Sequence, residues 1–94
     1  MIIKGTGSGS ITVAAYNIAA TIKSISVFNR TASGVSIGVG VVAAGVTTFF
    51  YSATLTATNT DGSCSYRNVN IAVEAGWQII ISASGSTGYC ILIE

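Results

Sequence analysis

Residues 31–60 read TASGVSIGVGVVAAGVTTFFYSATLTATNT, an unbroken run without a charge. Val35, Ile37, Val39 and Val41 fall on every second position, and so do Phe49, Tyr51, Ala53, Leu55 and Ala57. Side chains along a strand alternate between two faces, so a period of two marks β-strands with one face buried. The other face is left to small and hydroxyl-bearing residues. Such a surface suits contact with another protein better than catalysis.

The same period extends outward in both directions. It predicts strands at Ile11–Tyr16, Lys23–Asn29, Val35–Val42, Thr47–Ala57, Tyr66–Val73, Trp77–Ala83 and Tyr89–Ile93. Turn signals separate them at Asn17, Thr31–Gly34, Ala43–Gly45, Asn59–Gly62, Glu74–Gly76 and Ser84–Gly88. Asp61-Gly62 is a strong turn dipeptide because both residues tolerate positive φ. Around Glu74-Ala75-Gly76, Val69, Ile71 and Val73 on one side and Trp77, Ile79, Ile81 and Ala83 on the other predict a hairpin with one inward face. Trp77 reads as an anchor at the core or its edge. The chain contains no proline, and no helical period interrupts the strands.

About seven short strands spaced near ten residues predict an all-β fold, a small antiparallel β-sandwich of jelly-roll or immunoglobulin-like type. Residues 1–10, MIIKGTGSGS, read as a flexible N-terminal arm because Gly5, Gly7 and Gly9 alternate with Thr and Ser. Residues 11–94 then form a single β-sandwich domain. Gly38 and Gly40 oppose the apolar face of their strand, which marks a close approach of other atoms. A second sheet of the same subunit and a neighbouring subunit satisfy that reading equally.

Composition narrows the function. Of 94 residues half are hydrophobic and only 7% are charged, where soluble domains average about 25%. So few charges protect a free monomer poorly against self-association, so much of the surface is expected to be covered in an assembly. A net charge of +1, with four cations scattered along the chain, does not suit nucleic acid. No basic amphipathic stretch suits a membrane surface, and most strands are shorter than the roughly 9–11 residues of a membrane-spanning barrel. The opening residues lack the apolar run of a signal peptide, so synthesis in a cytoplasm is expected.

The chemistry-bearing residues are sparse. There is no histidine, and Asp61, Glu74 and Glu94 have no spacing that forces two carboxylates together. Many serines make a pairing with Lys4 or Lys23 cheap to find by chance. Two cysteines cannot supply the four ligands of a structural zinc site. Cys64 and Cys90 permit one disulfide, although a cytoplasmic chain is expected to keep reduced thiols. No catalytic, cofactor-binding or metal-binding residue is assigned, no cofactor is expected, and the chain reads as a non-enzyme. Thr54, Thr56, Thr58 and Thr60 alternate as a hydroxyl row, which reads as a solvent-facing strand edge rather than an ice-binding surface.

One pattern goes further. Lys23-Ser24-Ile25-Ser26-Val27-Phe28-Asn29-Arg30-Thr31 is followed by Val35-Ser36-Ile37-Gly38-Val39. Val69 to Val73 then lead into Glu74-Ala75-Gly76-Trp77-Gln78-Ile79, with Ser82-Ala83-Ser84 and Thr87-Gly88 behind. Over residues 21–94 this resembles small virion accessory proteins of tailed bacteriophages. In those proteins a strand ending in Asn-x-Thr starts the sandwich, and an Ala-Gly-x-x-Ile hairpin precedes an Ala-Ser…Thr-Gly turn. Trp77 stands where that pattern has a polar residue.

The resemblance implies a structural subunit of a virion, a capsid decoration or cement protein that binds and stabilises the shell. It further implies a homotrimer whose partners are itself and the major capsid or another virion protein. The alternative is a carbohydrate- or receptor-binding module of a tail or fibre, with Tyr16, Tyr66 or Tyr89 stacking on sugar rings.

Overall fold

The computed structural model describes residues 2–15 and 19–94. Six strands follow one another: β1 (Ile2–Ala15), β2 (Ala20–Asn29), β3 (Val35–Ala43), β4 (Val46–Leu55), β5 (Cys64–Val73) and β6 (Gln78–Ile93). All pairings are antiparallel and belong to one sheet, ordered β4-β3-β6-β2-β5, with β1 on the other edge of β6. The expected all-β class and antiparallel sandwich are what the chain forms, by curling one sheet over itself.

The curl is made by β6. Residues 78–83 pair with β3, whereas residues 87–93 pair with β2, so one strand serves both halves of the sandwich. β1 accompanies β6 along nearly its whole length. Between the pairs Gly7↔Thr87 and Gly9↔Ala83, β6 spends Ser84, Gly85 and Ser86 where β1 spends only Ser8. Unequal residue counts across a pair bend both strands. The first half is therefore β4, β3, and the parts of β6 and β1 before and after this corner that lie beside β3. The second half is β5, β2 and the remaining parts of β6 and β1.

Two expected strands, Trp77–Ala83 and Tyr89–Ile93, are thus one, which reduces seven strands to six. The small residues 84–88 read as a turn, yet they carry the strand around the corner instead of ending it. The flexible arm expected over Met1–Ser10 is also corrected: residues 2–10 belong to β1, hydrogen-bonded along β6. Backbone pairing needs no side chain, so a Gly-Ser sequence can be a strand when a neighbour supplies the ladder. The expected hairpin around Glu74–Gly76 is not formed. β5 pairs with β2 and β6 begins in the opposite half, so residues 74–77 cross between halves. Tyr16 and the turn at Asn17 lie outside the described residues.

Inward-facing residues of both halves make a single core. Val35, Ile37, Val39, Tyr51, Leu55, Ile79 and Ile81 from the first half meet Ile22, Ile25, Val27, Val73, Ile91 and Ile93 from the second. The period of two that predicted the strands is the period of this burial. A shift in β2 between Ile22 and Ser24 lets residues of different parity, Ile22 and Ile25, share the core side. Trp77 packs against the core margin, as an anchor there should.

Local chemistry explains the connections. The turn between β3 and β4 is Ala44-Gly45, both at positive φ (51° and 79°), the two-residue geometry that suits the twist of a hairpin. Asn29 ends β2 almost fully buried. Its Nδ2 donates to the carbonyls of Ser33 and Thr56, both at 2.7 Å, and its Oδ1 accepts from the Thr31 N–H at 2.8 Å. One amide thereby fastens the loops on either side of the first half.

Candidate binding surfaces

The two halves turn their outer faces to solvent, and these faces differ. On the first half, the outward residues are Ser36 and Gly38 of β3, Ser52 and Thr54 of β4, and Ser82 and Ser84 of β6. The pairs Ser36↔Thr54, Gly38↔Ser52 and Gly38↔Ser82 set them side by side. Phe49 lies across this floor, half exposed, with ring carbons 3.1 and 3.0 Å from where a Cβ on Gly38 or Gly40 would stand. Within the chain the close approach that the two glycines signal is made by the adjacent strand β4, through the Phe49 ring at Gly38 and chiefly through the Thr48 carbonyl oxygen at Gly40. Around the ring runs a shallow groove of about 680 Å³.

The groove is chemically neutral, because no charged residue lines it. Ser84 Oγ accepts from the Ser36 N–H at 2.9 Å. The hydroxyls of Ser36, Ser52, Thr54 and Ser82 have no partner within the described residues, so they meet solvent or a ligand.

The second half carries large apolar side chains on its outside as well, set among polar ones. Its outward residues are Ser24, Ser26 and Phe28 of β2, Cys64, Tyr66 and Asn68 of β5, Cys90 and Leu92 of β6, and Ile2, Lys4 and Thr6 of β1, as the registers dictate. Phe28 rests on the backbone of Gly88, where any Cβ would run into its ring. It is 40% exposed, Tyr66 65% and Ile2 62%. Tyr66 Oη donates to Asn68 Oδ1 at 2.8 Å.

The predicted residues are redistributed by this geometry. Tyr89 is buried in the core, with its hydroxyl lying where a Gly5 side chain would be, so it offers no platform to a sugar. Tyr66 is exposed, and Tyr16 lies outside the described residues. Cys64 and Cys90 are free and share the outer face of the second half, but β2 runs between their strands. Two strand spacings of about 4.8 Å each keep their Cα atoms beyond the roughly 7 Å that a disulfide bridges.

The threonine row does not survive as a flat surface. β4 ends at Leu55, and the loop behind it is tied by its own hydroxyls. Thr58 Oγ1 donates to the Asn29 carbonyl at 2.8 Å, Thr60 Oγ1 donates to the Ala57 carbonyl, and Thr56 Oγ1 stands 2.8 Å from Thr60 Oγ1. Asp61, Glu74 and Glu94 are each exposed on separate segments. Among the described residues no three or more His, Cys, Asp or Glu side chains gather to hold a metal. Among the described residues no helix is long and apolar enough to cross a membrane.

What the sequence reading missed is the sidedness. Alternation showed which residues point inward, but whether the outward face is polar or apolar depends on which strands become neighbours. Phe28 carried a signal, as a large apolar residue on the hydroxyl-bearing parity of its strand.

No protein-family model and no curated protein matches the chain. Solved structures do. The crystal structure of PirA is similar at 17% identity, over 98% of this chain and 90% of PirA, with a TM-score of 0.58. A structure of infectious bursal disease virus, Gx strain, is similar at 16% identity with a TM-score of 0.53. There the match covers 99% of this chain but 31% of the viral one, so this chain spans about a third of that protein's length. At such identities the likeness is one of fold.

Proposed function

We propose that this chain is a non-enzymatic structural subunit of a bacteriophage particle, a decoration or cement protein that docks on the shell and works as a homo-oligomer. The observation that carries this reading is the apolar outer face of the second half, centred on Phe28, Tyr66 and Ile2. A domain with 7% charged residues and such a face is suited to being covered. The phage-like pattern over residues 21–94 and the fold shared with a chain of infectious bursal disease virus support the virion setting.

The test is immunogold electron microscopy, with quantitative mass spectrometry, on purified particles of the phage that encodes the chain. Regular labelling of the particle surface and a fixed copy number relative to the shell protein are expected. Particles lacking the chain would overturn the reading.

The groove around Phe49 favours a second reading, a module that binds neutral carbohydrate. An aromatic ring over a glycine floor, flanked by unpaired hydroxyls, can stack on a sugar ring and hydrogen-bond its edges. A glycan array answers it: binding lost in Phe49→Ala supports the module, and an array without signal removes it.

A further inference from the structure

Five large apolar side chains are exposed among the described residues, and Ile2, Phe28 and Tyr66 share one face. Partly buried Cys90 and Leu92 of β6, with Ser24 and Ser26 of β2, fill the space between them. The same face carries three charges, Lys4, Glu94 and Lys23, the last donating from Nζ to Asn70 Oδ1 at 3.1 Å. Lys4 stands on β1 opposite Cys90. Glu94 continues the outward parity of β6, past Cys90 and Leu92, where its backbone is held by Thr21. Among the described residues neither Lys4 nor Glu94 makes an ion pair. Four residues separate the level of Lys4 from Glu94, about 13 Å at the rise of a strand, too far to pair with one another.

We infer that a second copy of this chain docks on this face about a two-fold axis, with Lys4 of each copy against Glu94 of the other. A two-fold contact requires one surface to hold both members of every pair. This face does so: large apolar side chains that can meet their own copies, and both cations and an anion around them. Such an arrangement of apolar centre and polar rim is that of protein interfaces generally. The inference rests on the homo-oligomer of the proposed function and gives it two-fold rather than three-fold symmetry.

Native mass is measured by size-exclusion chromatography with light scattering across a dilution series, and a dimer is expected. Lys4→Glu and Glu94→Lys should each weaken it roughly tenfold, and the double exchange should restore it. Phe28→Ser should give a monomer, while Phe49→Ser, on the other half, should leave the dimer intact. Circular dichroism checks that each variant is folded. The wild-type thiols give a readout free of mutation: maleimide modification of Cys90 should slow at concentrations where the dimer forms.

Failure of the double exchange to restore the dimer, or thiol rates independent of concentration, would overturn the inference. A stable trimer would overturn the two-fold contact while leaving self-assembly in place. A monomer at every concentration would overturn both, whereas presence on the particle is decided separately by the labelling experiment.

Discussion

Asn29 shows how much a single amide can decide. Its two N–H groups face two carbonyl oxygens at 2.7 Å, and its oxygen faces an N–H at 2.8 Å, so the side chain is matched in both polarity and shape. Asn29→Asp keeps the shape but turns acceptor lone pairs, or a buried charge, toward those carbonyls. A loss of about 3 kcal/mol is expected, read from the shift of the urea midpoint; an unchanged midpoint would mean that the loops hold themselves. The sequence flagged this residue only as the end of a strand, because its partners at Ser33 and Thr56 are brought in by other segments. Gly38 and Gly40 give a sharper contrast. A Cβ on Gly40 would meet the Thr48 carbonyl oxygen at 2.5 Å, a backbone atom, whereas on Gly38 it would meet the Phe49 ring at 3.1 Å. Gly40→Ala should therefore cost about 1–3 kcal/mol and Gly38→Ala less, because a half-exposed ring can move and a ladder cannot. Equal destabilisation of the two variants, in the same denaturant titration, would contradict that assignment. Both glycines announced a close contact in the sequence, but not its source, which depends on the shift between Val39 and Gly40 that seats Phe49 over them.

At the level of elements, β1 and β6 depart furthest from expectation. GTGSGS has little apolar content and no strand propensity, and it is nevertheless paired from Ile2 onward. What orders it is the edge of β6, whose N–H and C=O groups would otherwise be left without a ladder. Deleting residues 2–9 should therefore destabilise the whole domain, not merely trim an arm. A fall in Tm of at least about 10 °C is expected, since about 1 kcal/mol corresponds to about 4–8 °C in a domain of this size. A deletion that melts like the full chain would restore the arm. Strands β2 to β5, by contrast, lie within a few residues of where alternation put them, because each carries alternating apolar residues and a recognisable turn. β6 was read as two strands because Ser84–Gly88 has the composition of a turn, and composition does not distinguish a strand that stops from one that bends.

For the molecule as a whole, the question is what keeps the two halves closed. The core does most of it, but one clasp spans the open edges. Tyr51 of β4 is buried, and its hydroxyl donates to Ser65 Oγ on β5, while the Arg67 guanidinium sits 5.7 Å from the centre of its ring. Tyr51→Phe keeps the packing and removes the hydrogen bond, which should lower stability by about 1 kcal/mol and Tm by about 4–8 °C. A melting curve superimposable on that of the full chain would show that the edges close without it. Once closed, the halves present one hydroxyl-bearing face and one that exposes Ile2, Phe28 and Tyr66 to solvent. Their difference gives the particle-bound reading its surface.

The amino-acid sequence by itself determined the all-β class, the inward face of nearly every strand and the scarcity of chemistry, because these depend on periodicity and composition within short segments. Only the tertiary structure decided that β6 joins both halves, that the glycine-rich start is a strand, that Cys64 and Cys90 stand apart, and that Ile2, Phe28 and Tyr66 share a face. Each of these rests on pairings between residues distant in the chain. A ladder hydrogen bond joins backbone atoms that are alike in every residue, so local sequence carries little record of which strand will supply the partner.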